Sequence, residues 1–191
     1  MSTVYFDEVG EFGLDRATKL LAGIPDGVYR AVGSAVKRSA RHGLTVGMKI
    51  VAGEYAISQS DLKSKTRNIN VVDKDSGGTY SVTFGYRGNV IPLIRFDTHF
   101  TNEGVVASRV LRANSRKQLD HAFAAHMGGH TGVYERETEK RFPIKELFGP
   151  SAVQAFYARE ETVDKMNDAV LETYETRIDH EITRVLNGWG G

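Results

Sequence analysis

Three histidines, His121, His126 and His130, fall within ten residues beside Asp120, and imidazoles with a carboxylate are the side chains that bind metals or move protons. Their spacings of five and four do not bring all three to one helix face, and Gly128 and Gly129 would break a helix there. They read as surface or packing histidines. The "DTHF" around His99 offers only a lone Asp-Xaa-His. The glycine stretch "DSGGTY" lacks the lysine–serine ending and the strand-to-helix setting of a phosphate loop, and between two β-rich runs it predicts a hairpin turn. Ser151 in "GPSAV" lacks a Gly-Xaa-Ser-Xaa-Gly elbow and reads as a helix N-cap, its hydroxyl accepting a bond from an otherwise unpaired helix N–H. Glu135 with Glu137, and Glu160 with Glu161, sit in charge-alternating contexts that mark no acid/base couple. Without cysteine there is no disulfide, thiolate metal site or cysteine nucleophile. The expectation is a protein with no catalytic residues, no metal and no cofactor.

The elements that would position these residues follow a simple order. From Pro25 or Asp26, a stripe of Val28, Ala31, Val32, Ala35, Val36 and Ser39 predicts a helix ended by Gly43, with residues small enough for another element to approach closely. A weaker helical region covers "VGMKIVAGEYAIS", and "SQSDLKSK" offers a cap and a short helical turn. "NINVVDKD" and "TYSVTFG" predict paired strands around "DSGG". "VIPLIRF" continues the strand character, with Pro92 confining it to an edge or a strand start, and "GVVASRVL" and "TGVYERE" predict further strands. Residues 115–130 open like a capping box at Ser115 and Gln118, yet fit equally a strand containing Phe123. From Ser151 to about Asn187, Val153, Phe156, Val163, Met166, Val170, Tyr174, Ile178, Ile182 and Val185 form one face of a long amphipathic helix that Gly188 stops. The fold class expected is α+β: a central antiparallel sheet, an N-terminal helix packed on it and a long C-terminal amphipathic helix. The divisions expected are an N-terminal arm over 1–25, a core over 26–150 and the terminal helix over 151–191, packing on the core or on a neighbouring subunit.

With 40% apolar and 26% charged residues the 191-residue chain has the makeup of a folded domain. No apolar run approaches the roughly 20 residues of a bilayer span, and the acidic start "MSTVYFDEVGEFG" does not resemble a signal peptide, so no membrane partner is expected. The net charge of +1 conceals an asymmetry: residues 30–67 hold eight basic side chains against two acids, and residues 158–187 hold eight acids against four basic residues. Such a distribution suits phosphate or complementary contacts between copies of one subunit. The candidate contacts are Arg30, Lys37, Arg38 and Arg41 on the first helix, and Arg109, Arg112, Arg116 and Lys117 in "RVLRANSRK". No nucleic-acid motif accompanies them, so a DNA-binding accessory protein that does not read sequence is the alternative expectation.

"VIPLIRF", "FAAHMGGHTGVYER" and "RFPIKELFGPSAVQAF", followed by a long terminal helix, together resemble the phage minor tail protein Z family, that of the tail completion protein of lambda-like phages. The resemblance rests on an early helix followed by Tyr55 to Ile57, an Ile-Pro-Leu element (91–93), a Gly-Val-aromatic-Xaa-Arg strand (132–136) and the Arg-Xaa-Pro-Ile…Gly-Pro-Ser segment, over residues 28–187. It implies a structural virion protein of a long-tailed phage, assembled in the host cytoplasm and located at the head-proximal end of the tail. There it would serve tail maturation, head–tail joining and positioning of the DNA end. The implied partners are further copies of itself in a ring, a hexamer by class, and tail terminator, tail tube or neck and connector proteins, with the DNA end in the lumen. Within "RFPIKELFGPS", Pro143, Phe148, Gly149, Pro150 and Ser151 read as a structural hinge that fixes how the terminal helix leaves the domain, with Phe142, Ile144, Leu147 and Phe148 as its apolar anchors.

Overall fold

A computed structural model of the chain describes residues 3–5, 11–74, 80–101, 104 and 106–188. In chain order the elements are β1 (Thr3–Tyr5), α1 (Glu11–Leu21), α2 (Gly27–Glu54), α3 (Gln59–Ser64), β2 (Thr66–Lys74), β3 (Tyr80–Gly88) and β4 (Val90–Pro92). A 3-10 turn (Leu93–Arg95) follows, then β5 (Asp97–Phe100), β6 (Val106–Arg109), β7 (Lys117–Leu119), β8 (Ala122–Met127) and β9 (His130–Arg136). The chain closes with β10 (Ile144–Glu146), β11 (Phe148–Ser151), α4 (Ala152–Tyr157) and α5 (Glu160–Leu186). Helices, antiparallel strand pairs and a long C-terminal helix make this an α+β protein, as the residue patterns predict.

Two compact units form, each from separated stretches of chain. The first gathers Met1–Gly47, Arg67–Arg87 and Glu160–Gly191, and the second Met48–Thr66 and Gly88–Arg159, in place of the linear boundaries expected at 25 and 150.

The first unit is built on helix packing. The small apolar stripe of α2 (Val28, Ala31, Val32, Ala35, Val36), together with Ala17 and Leu21 of α1, meets Tyr174, Ile178, Ile182 and Val185 of α5 in one buried cluster. Gly43 does not end α2, which runs on to Glu54. A helix tolerates an interior glycine at a cost of about 1 kcal/mol, and here the missing side chain makes room for a neighbour. A Cβ at Gly43 would stand 2.4 Å from Val170 Cγ2, and one at Gly47 would stand 2.4 Å from Met166 Sδ. These two glycines are the groove that admits α5. Tyr86 of β3, also buried, donates its hydroxyl to the Ala40 carbonyl of α2 at 2.8 Å. β3 lies between β1 and β2 in a three-stranded sheet, and β1 pairs antiparallel with it from Thr3↔Gly85 to Tyr5↔Thr83. The residues read as a polar arm thus include a strand and the helix α1. The predicted "DSGG" turn lies outside the described residues.

The second unit is a set of short strands around a compact apolar centre that includes Ile57, Leu62, Ile91, Phe96, Val106, Val133 and Phe156. Its sheets run β10-β9-β8, β11-β4 and β5-β6-β7. Within residues 115–130 the chain forms strands, not a helix: β7 and β8 lie there, Phe123 pairs with Tyr134, and the capping box at Ser115 is absent. Gly128 (φ 58°) and Gly129 (φ 83°) close the β8–β9 hairpin, the double positive φ of a tight two-residue turn, with Met127 opposite His130. Pro92 ends β4 after three residues, and the chain turns as a 3-10 segment instead of continuing as the predicted strand. The expected single terminal helix is two: α4 stops at Tyr157 and α5 starts at Glu160. The adjacent acids Glu160 and Glu161 favour a fresh helix N-terminus through the helix dipole. Gly188, at φ 73°, terminates α5 as predicted, its N–H bonded to the Val185 carbonyl.

Candidate interaction surfaces

The predicted basic contacts separate into two kinds. On α2, Lys37 and Arg41 are exposed one helical turn apart, and Arg30 is half-buried, with a long bond to the Pro25 carbonyl at 3.5 Å. Arg38 turns to Glu181 of α5 at 3.2 Å, and Arg184 approaches the same carboxylate at 3.0 Å. Glu181 is buried, so these two guanidiniums offset the cost of placing its charge away from water.

In the second unit, Asp97 of β5 accepts from Arg109 of the neighbouring β6 and, at 2.8 Å, from Arg116. The Arg116 hydrogen bond, more than any other influence, holds the Asp97 carboxyl below its usual range; burial opposes it and Arg109 adds to it. Arg112 caps the end of α2, its Nε donating to the Ala52 carbonyl at 2.9 Å and its N–H to the Glu54 carbonyl at 2.8 Å. Arg159 meets the Glu54 side chain at 3.0 Å. Three of the four arginine and lysine candidates from "RVLRANSRK" therefore hold the fold together, while Lys117 stands exposed.

The acidic surplus of the C-terminal region resolves into a face. Along α5, Glu161, Asp164, Asp168, Glu172, Glu175 and Asp179 are exposed, while Met166, Val170, Tyr174, Ile178, Ile182 and Val185 are buried. Glu161 pairs with Lys165 and Asp179 with Arg16. One compact unit therefore carries a basic outer side on α2 and an acidic outer side on α5.

A separate cleft of about 920 Å³ lies within the second unit. Its floor is the outward side of the β4–β11 ribbon. Ile91 is buried, and a Cβ at Gly149 would stand 2.5 Å from the Phe96 ring, so that side faces the core. Val90 and Phe148 are each 48% exposed and line the cleft with Pro92 and Ile94. Lys65, Arg95, Asn89, His126, His130, Thr131 and Glu146 supply its polar walls. His130 Nε2 sits 3.0 and 3.1 Å from the two Glu146 oxygens, and His126 Nδ1 sits 3.2 Å from Thr131 Oγ1. The Glu146 side chain lies across β9 where Gly132 has none: a Cβ there would stand 2.7 Å from its Oε1. Burial, with the Glu146 carboxylate as a second cause, pushes the neighbouring Tyr134 phenol above its usual pKa. His126 and His130 thus share one cleft, whereas His121, at φ 65°, occupies the turn before β8. No group of three metal-ligating side chains occurs among the described residues. Lys65, Arg95 and Glu146 lie far apart in the chain, and no local pattern announces that they meet.

"RFPIKELFGPS" is laid down as β10 and β11, not as an anchored turn. Ile144–Glu146 pairs with β9, and Phe148–Ser151 pairs with β4 across a register shift between Gly149 and Ser151. Phe142 and Phe148, read as anchors, are 62% and 48% exposed. Pro143 is exposed and Pro150 half-buried. Ser151 caps a helix as predicted: its Oγ accepts from Gln154 N–H at 3.1 Å, and the Gln154 side chain accepts from Ser151 N–H at 2.8 Å. That helix is the short α4. Comparison of the chain with protein-family models, with curated proteins and with solved structures found no match.

Proposed function

We propose that the chain is a structural subunit of a long-tailed phage virion, a tail completion or minor tail protein acting at the head-proximal end in tail maturation, head–tail joining and DNA-end positioning. The reading begins from the ordered set of motifs that resemble those of the minor tail protein Z family. The observation that carries it is the pairing of a basic outer side on α2 with an acidic outer side on α5 within one unit. A subunit with two different, complementary surfaces associates head to tail, and such contacts form a ring when the rotation between copies closes. In this reading Lys37 and Arg41 of one copy face Asp168 and Glu172 of the next, and neighbouring tail or neck proteins cover the ends of the ring.

Charge reversal tests it. Lys37→Glu with Arg41→Glu gives a subunit acidic on both sides, and Asp168→Lys with Glu172→Lys gives one basic on both sides. Neither variant alone enters tails, as read by mass spectrometry of purified particles, whereas an equal mixture restores entry by alternation. Entry of each single variant at the wild-type level overturns the interface.

Contact with DNA that does not depend on sequence is the second reading, and the exposed Lys37, Arg41 and Lys117 favour it. It predicts duplex binding by the isolated protein that falls steeply with salt. Affinity unchanged between low and moderate salt contradicts it.

A further inference from the structure

We infer that the cleft between the β4–β11 ribbon and the β8–β9 hairpin is a docking site for an acidic protein segment that carries a large apolar side chain. Three observations point to this occupant. The floor is apolar and exposed: Val90, Pro92, Ile94 and Phe148 line it, and the side of the ribbon holding Ile91 supplies the core contacts. Leaving such side chains in water forgoes about 25 cal/mol for each Å² that a partner would cover. The walls are cationic or donor-bearing: Lys65 and Arg95 stand with His126 and His130, and Glu146 is the one acid among the twelve lining residues. Glu146 is engaged by His130, so its charge is directed at that ring.

Arg95 is the best-placed reader of a carboxylate. One terminal nitrogen is fixed by Asp61 at 3.2 Å, and Asp61 itself accepts from the Ser58 hydroxyl at 2.6 Å, which orients the guanidinium before a ligand arrives. The volume lies at the upper end of the roughly 300–1,000 Å³ typical of ligand sites, room for more than a single side chain. An apolar floor with cationic walls fits alternating acidic and apolar side chains of an extended chain. A bare phosphate or a nucleic-acid backbone would leave the floor uncovered.

The test uses the full chain and a fluorescent heptapeptide alternating glutamate with leucine and phenylalanine, beside a control with lysine for glutamate. Anisotropy is expected to show saturable binding of the acidic peptide only, with amide shifts confined to residues around 89–95, 126–131 and 146–148. Phe148→Ala is expected to weaken binding about tenfold, as for a central apolar contact. Lys65→Glu is expected to weaken it a few-fold, the scale of an exposed charge pair. Both side chains are exposed, so neither change removes core packing. No saturable binding, equal binding of the two peptides, shifts elsewhere on the protein, or displacement of the peptide by inorganic phosphate or a short DNA duplex each overturns the assignment.

Discussion

The helical unit and the β-rich unit hold themselves together by different means. In the first, α1, α2 and α5 share a continuous apolar cluster, and two glycines open the groove that lets α5 approach α2. In the second, strands of three to seven residues are pinned by polar devices: Asp97 between Arg109 and Arg116, Arg112 on the end of α2, and Ser151 with Gln154 at the start of α4. Burial of apolar stripes makes a unit sensitive to lost volume, whereas polar pins make it sensitive to single donors and to pH.

The largest effect expected from this contrast is at Ile178, which is 2% exposed within the helical cluster. Ile178→Ala should cost about 3 kcal/mol, cavity included. Hydrogen exchange should show the loss in α2 and α5; a cost below about 1 kcal/mol would mean that the cluster does not carry the unit.

Next comes an alkaline limb. Burial pushes the Tyr174 phenol up to about 12 from an ordinary 10.0. The stability tied to its neutral form is complete below pH 10 and is lost as pH rises toward 12, because the unfolded chain ionises first. At about 1.4 kcal/mol for each pKa unit the loss approaches about 3 kcal/mol, and Tyr174→Phe should remove it from a pH-dependent unfolding series. The same alkaline slope in the variant would place its origin elsewhere.

The two groove glycines sharpen the picture further. At Gly43 an added methyl meets the stiff Val170 and, at 3.1 Å, the Met166 backbone oxygen. At Gly47 the three nearest atoms all belong to the flexible Met166 side chain. Gly43→Ala should therefore lose about 2 kcal/mol despite its better helix propensity, and Gly47→Ala should stay within about 1 kcal/mol of wild type. Equal effects in chemical denaturation would deny that the groove is rigid at Gly43.

In the β-rich unit, Ser151→Ala removes a reciprocal cap and should cost about 1 kcal/mol, seen as faster exchange in α4. The smallest effect is at Asp97. Its lowered pKa means that its contribution is present above its ordinary 3.8 and is lost as pH falls through the lowered value. Asp97→Asn should flatten the acid response of amides in β6 and β7 and leave α5 unchanged; an unaltered acid response in those strands would remove the arginine pair from the account.

What was legible in the sequence follows the same division. The stripes of α2 and α5, the cap at Ser151, the stop at Gly188 and the strands around 68–74, 106–109 and 131–136 were readable because apolar periodicity or a local cap decides them. Gly43 was misread as a stop because its role depends on Val170, more than a hundred residues away. The break before Glu160 lay hidden inside a continuous stripe, although the paired acids there are themselves a start signal. Residues 115–130 satisfied helix and strand patterns alike, and pairing with β9 decided between them. Of the candidate contacts, Lys37 and Arg41 stayed on the surface, whereas Arg109, Arg112 and Arg116 were drawn into contacts with Asp97 and the α2 terminus that no local pattern announces. The cleft was invisible because its lining comes from four separated segments that only the folded topology assembles.

The central claim, a ring-forming subunit at the head-proximal end of a phage tail, is tested most directly by an electron cryomicroscopy reconstruction of that end of the tail. The account predicts a closed ring of this chain there, with α2 of each copy against α5 of the next. Density for the chain elsewhere on the particle, or tails complete and infectious without it, would contradict the claim.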